Sequence, residues 1–99
     1  MATKRLLHLK LDRYPLGFRR AHIERDAGKA SAGWGLIVES PSEVECFREH
    51  LKSGTSMSFN MVTVEGDRWA GEAAVAGLSD ALDAATLVLL CGLGPLRSA

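Results

Sequence analysis

The sequence predicts a mainly β chain with one helix (an α+β domain). Three observations carry this: apolar residues alternate with polar ones in several short segments, one segment opens with a helix-start signal, and glycine-rich breaks separate them. About six strands are expected, in the order β-β-β-α-β-β-β. They would form a curved sheet, small barrel or sandwich, with the helix over about 41–53 packed at one end or on one face.

Leu7, Leu9 and Leu11 alternate with His8, Lys10 and Asp12, which predicts a strand over 4–12 with one buried face. Tyr14-Pro15-Leu16-Gly17 breaks it, because proline fixes φ and glycine permits a turn. Phe18 and Ile23 mark a second strand over 18–25, in which the alternation slips, as at a bulge. Small and polar residues from Asp26 to Gly33 read as a loop. Trp34, Leu36 and Val38 then define a strand over 34–39.

Ser40-Pro41-Ser42-Glu43 has the form of a capping box: serine at the N-cap, proline at the first helical position, glutamate three residues after the cap. Val44, Phe47 and Leu51 follow as one apolar stripe, and Gly54 ends the helix. Met57, Phe59 and Met61 alternate again. Glu65-Gly66-Asp67-Arg68 is a hairpin signal with Gly66-Asp67 as the turn pair. The strand after it, 68–76, is rich in glycine and alanine, so a large group is expected to approach it closely. Leu78 to Ala85 reads as a loop or short helical turn. Thr86 to Cys91 is a near-continuous apolar run, expected as a central strand buried on both faces.

The 99 residues form a single domain, 1–99. A chain of this length buries roughly two-thirds of its unfolded surface, so one core suffices without staples. A hydrophobic share of 46% argues against disorder, and a formal net charge of zero argues against a globally basic nucleic-acid binder. The charges are nevertheless uneven. Residues 1–40 hold eight basic groups and four acids, and residues 41–99 hold four basic groups and eight acids. Leu6 to Leu11 is interrupted by His8 and Lys10 and does not make a secretory signal. A cytoplasmic chain is expected, with no membrane partner and with Cys46 and Cys91 reduced and buried.

No residue set predicts catalysis, a metal or a cofactor. His8, His22 and His50 lie in different elements, and Cys46 with His50 at i, i+4 supplies only two ligands. Cys46 lies inside the helix and Cys91 in an apolar strand, so neither thiol has the setting that activates one. Gly92-Leu93-Gly94 and Gly33-Trp34-Gly35 are not followed by a helix that would receive a phosphate. The chain is therefore expected not to be an enzyme.

The stretch Gly66-Asp67-Arg68-Trp69-Ala70-Gly71-Glu72-Ala73, with Ala85 to Leu96 and its Gly92-Leu93-Gly94-Pro95-Leu96 ending, resembles the C-terminal part of phage and prophage tail-tube-type proteins. The resemblance covers under half of the chain. It implies a structural subunit that stacks or rings with copies of itself, a homo-oligomer. The opposite charges of the two parts of the chain fit that idea, and so does the small-residue strand with Arg68, Ala70, Glu72 and Ala74 as its self-association face. Assembly by such charges weakens with salt. Two alternatives stand beside it. One is a small nucleic-acid-binding domain using the basic segment 19–29, with Arg19, Arg20, His22, Arg25 and Lys29. The other is a barrel with a small-ligand pocket under Trp34 and Trp69.

Overall fold

The computed structural model describes residues 2–25, 33–79 and 86–98. The elements are β1 (Ala2–Leu11), β2 (Tyr14–Pro15), β3 (Arg20–Arg25), β4 (Trp34–Glu39), α1 (Val44–Ser53), β5 (Ser56–Thr63), β6 (Arg68–Ser79), β7 (Leu87–Gly92) and β8 (Arg97–Ser98). Of the expected loops over 26–33 and 78–85, residues 26–32 and 80–85 lie outside the described residues, whereas Leu78 and Ser79 continue β6 by pairing with β7 and correct the expected end of that strand at 76. Among the described residues, no helix is long and apolar enough to cross a membrane.

Of the three architectures open to the sequence, the chain adopts the barrel. Six antiparallel strands follow one another as β1-β3-β4-β7-β6-β5, and β5 pairs back onto β1 to close the ring. The short strands β2 and β8 pair with β1 and β6. Closure depends on a switch of partner within β1. Ala2 to Arg5 pair with β3, whereas Leu6 and then His8 to Leu11 pair with β5.

A bulge lies at that switch, between Leu6 and His8. It adds one residue and so reverses the faces downstream of it. Leu6 and Leu9 are buried, while Leu7, expected inside, is 55% exposed. β2 occupies the segment expected only as a break. Asp12, at φ 59, makes the tight return that lets Tyr14 pair with Leu11.

The interior is filled from all six strands of the ring. Leu9, Ile23, Leu36, Val38, Phe59, Met61, Ala73 and Val88 all face inward and are buried. Phe47 extends this core from α1, with its ring stacked on Phe59 at 6.5 Å between centroids. Gly54 terminates α1 as expected, in the left-handed region at φ 72, donating its N–H to the carbonyl of His50. Val44 is half-buried and Leu51 is exposed, so Phe47 is the buried anchor of the stripe.

The capping box does not form. Ser40 sits at φ 51, a left-handed conformation that an N-cap residue does not use, and α1 begins only at Val44. Tertiary pairing explains the difference. Ser42 donates its N–H to the carbonyl of Gly17 at 2.8 Å and accepts the Gly17 N–H on Oγ at 3.0 Å. Ser40 donates its N–H to the carbonyl of Thr86. These bonds hold 40–42 outside the helix, and Glu43 becomes the N-cap without a side-chain bond. Denaturant melts should therefore rank Ser42→Ala, at about 1 kcal/mol, as costlier than Ser40→Ala, at under about 0.5 kcal/mol. The reverse ranking would restore Ser40 as the cap.

The β5–β6 hairpin is present with its turn shifted. Gly66 donates to the carbonyl of Thr63, which makes Val64-Glu65 the central pair and Gly66, at φ 98, the left-handed residue after it. Thr63 is fully buried, and its Oγ1 accepts the Asp67 N–H at 3.0 Å. The polar atom is thus satisfied and pins the turn.

Candidate functional site: a basic groove and an apolar outer face

The outer surface of the barrel carries two features, centred on different strands. The first lies over β1, β5 and β6. Register sets His8, Val62 and Arg68 side by side in one cross-strand row, and Lys10, Asn60 and Ala70 in the next. An open groove of about 350 Å³ lies over these rows. His8, Lys10, Asp12, Arg13, Arg68 and Trp69 line it. The turn after β1 is tied down at its end. Asp12 donates its N–H to the Ser58 carbonyl at 2.9 Å, and its own carbonyl accepts Asn60 Nδ2 at 3.1 Å. Arg13 is carried to the groove by that turn.

Nearby charge is already paired on the same side of the barrel. Lys4 Nζ lies 3.3 Å from Asp67 and 3.7 Å from Glu65. The basic first part and the acidic second part of the sequence thus meet inside one chain here. Such part-exposed pairs contribute little to stability.

The second feature lies over β4 and β7. On β7 the side chains alternate, so Val88 and Leu90 enter the core while Leu87, Leu89 and Cys91 point out. This corrects the expectation of a strand buried on both faces. β7 is central in pairing, between β4 and β6, yet Leu89 is 43% exposed. Ile37 lies opposite Leu89, and Ala74 opposite Cys91, which extends the apolar surface across three strands. Glu39, opposite Leu87, and His22, opposite Ile37, form a polar margin.

Both thiols are free, as expected, but they are not both buried: Cys46 is half-buried and Cys91 is exposed. Burial, with the carboxylates of Glu43 and Glu49 nearby, pushes the Cys46 thiol above its ordinary pKa. Its helical neighbour His50 turns Nδ1 to the backbone, donating to the Cys46 carbonyl at 2.9 Å, with the sulfur at 3.8 Å. That orientation makes His50 a helix-stabilising group instead of a base for the thiol. Among the described residues, no three His, Cys, Asp or Glu side chains gather as a metal-binding group.

The large group expected against the small-residue strand is Trp34. Its indole lies over Gly71 and Gly92, where a Cβ would come within 2.7 Å and 2.3 Å of the ring. Its Nε1 donates to the Gly94 carbonyl at 2.7 Å. Of the two tryptophans of the expected ligand pocket, Trp34 is buried against these glycines and Trp69 lines the groove. Trp69 is half-buried nearby, with the Arg25 guanidinium 5.1 Å from its ring centroid.

The basic segment is divided by the fold. Arg20 and His22 share the outer face of β3, Arg19 precedes the strand, and Arg25 covers Trp69. Lys29 lies outside the described residues. The expected self-association residues Arg68, Ala70, Glu72 and Ala74 do share the outer face of β6. They are not on a free edge, however. β5 pairs with 68–74 on one side, and β8 with β7 occupies the other. Edge pairing with a second copy through these four residues is closed off, because closure of the barrel consumes the backbone groups it needs. Sequence reasoning missed the groove, whose residues come from three separated segments. It also missed the outer apolar face, whose signal, the run Leu87 to Cys91, it assigned to the core.

No family model and no curated protein matches the chain.

Its fold is similar to a solved structure, described as the crystal structure of a hypothetical protein from Staphylococcus aureus. The TM-score is 0.75 at 12% sequence identity, over 99% of this chain and 71% of that one. The similarity extends the barrel to a second sequence and is one of fold alone.

Proposed function

We propose that this barrel is a non-enzymatic structural or interaction protein that self-associates through the outer face of β4 and β7. The observation that carries the reading is the contiguous apolar surface of Ile37, Leu87, Leu89 and Cys91 on the outside of a closed barrel. Outward strand positions elsewhere are mostly polar, such as Arg5, Lys10, Ser58, Asn60 and Glu72, with Leu7 and Val62 as separate apolar exceptions. An apolar centre with a polar margin is how the buried core of a protein interface is built. A two-fold axis would bring this same patch of two copies together, apolar centre against apolar centre. The C-terminal resemblance to tail-tube-type subunits supports the same reading, since β6 and β7 belong to the segments that carry it.

Sedimentation equilibrium over a concentration series tests this reading. A mass above that of one chain is expected, and Leu89→Lys should return the protein to monomer. Because the face is apolar, assembly should persist in high salt, unlike assembly through exposed charges. Cys91 supplies an independent readout. It should react rapidly with a thiol reagent in the Leu89→Lys monomer and slowly in the assembled wild type. A wild type that stays monomeric at high concentration would remove this function.

A further inference from the structure

We propose that the groove over β1, β5 and β6 binds a phosphate-bearing anion of about mononucleotide size. The lining of this site shares no residue with the self-association face on β4 and β7. Three fixed cations, Lys10, Arg13 and Arg68, line the groove against one carboxylate, Asp12. The chain as a whole has a net charge of zero, so this excess is a local concentration and not a general property of the surface.

Ion pairing takes up Lys4 but not the three cations that line the groove. Lys4 is held by Asp67 and Glu65, and Arg48 is held by Glu45. Among the described residues, Lys10, Arg13 and Arg68 form no salt bridge. An anion in the groove meets three cations at once, and each adds an attraction that salt screens. Their placement is also fixed. Lys10 and Arg68 stand on neighbouring cross-strand rows, so pairing sets their backbone positions. Arg13 rides on a turn that two hydrogen bonds clamp to β5.

Phosphate is the anion this set fits best. A guanidinium presents a planar fork of donors to two phosphate oxygens, and a lysine adds a point charge to a third. Asn60 stands in the groove between Lys10 and Ala70 and adds a neutral polar group. A volume of about 350 Å³ is at the lower end of small-ligand sites and holds a phosphate with a ring attached. Trp69 lines the same groove and reports on its occupancy.

The test titrates the full chain with inorganic phosphate, adenosine monophosphate and a short oligothymidylate. Tryptophan fluorescence and equilibrium dialysis follow binding in parallel. Saturable binding of at least one of the three is expected, weakened about tenfold by Arg68→Gln or Lys10→Gln and reduced by added salt. Arg20→Gln, on the outer face of β3, should leave it unchanged. All three substitutions are at exposed positions, and unchanged thermal melts would show that the variants fold. Comparable affinity for phosphate and the mononucleotide would assign a free phosphate group. Affinity that rises with oligonucleotide length would assign a phosphodiester strand lying along the groove. Absence of binding by dialysis at millimolar ligand would overturn the proposal. Binding that Arg68→Gln and Lys10→Gln leave untouched would overturn it equally.

Discussion

Replacing Phe47 with alanine should lower stability by about 3–5 kcal/mol. Phe47 is fully buried and is the side chain through which α1 enters the barrel core. Its removal takes away the ring stacked on Phe59 and leaves a cavity between helix and strands. The closed ring limits how far the surrounding strands can collapse to fill it. A small domain has only about 5–15 kcal/mol of stability, so this single change is a large fraction of the total. Leu51→Ala is the internal comparison. Leu51 lies on the same helical stripe but is 40% exposed, and its truncation should cost under about 1 kcal/mol. Urea melts of the two variants measure the difference. Equal and small effects would mean that α1 does not anchor the fold.

The second large effect is expected at Gly92. A methyl group there would lie 2.3 Å from Trp34 Cε2 and 2.4 Å from Nε1, closer than nonbonded atoms approach. The indole has little freedom to yield, since it is buried on all sides and held to the Gly94 carbonyl. Gly92→Ala should therefore cost about 1–3 kcal/mol through overpacking, although alanine is an ordinary strand residue. A double-mutant cycle with Trp34→Ala isolates the cause. In the Trp34→Ala background the cost of Gly92→Ala should fall by at least about 1 kcal/mol, because the clashing partner is gone. Strict additivity would show that the glycine is needed for its backbone and not for the ring.

The same two sites mark where sequence reasoning succeeds and where it ends. The glycine and alanine content of β6 announces close approach by something large, because small side chains on an interior strand leave volume to be filled. Which residue fills it is not local information. Trp34 lies far from Gly71 and Gly92 in sequence, and only the β4–β7–β6 pairing brings the three together.

Alternation by itself determines the strand over 34–39 and the inward set Met57, Phe59 and Met61, because side-chain direction in a strand repeats every two residues. Gly54 determines the end of α1 for an equally local reason, its access to the left-handed region. Tertiary structure decided the rest. The bulge at Leu6–His8 placed Leu7 outside because β1 must change partners for the ring to close. Bonds from Gly17 and Thr86 drew Ser40 and Ser42 away from the helix they were suited to cap. Leu87 to Cys91 is apolar on both faces, and periodicity cannot distinguish a face covered by the chain's own core from one turned to the outside. The basic groove is the fullest case. Its cations come from β1, its following turn and the start of β6, and strand register alone makes neighbours of Lys10 and Arg68, because hydrogen-bonded pairing across β5 and not distance along the chain sets which side chains stand together.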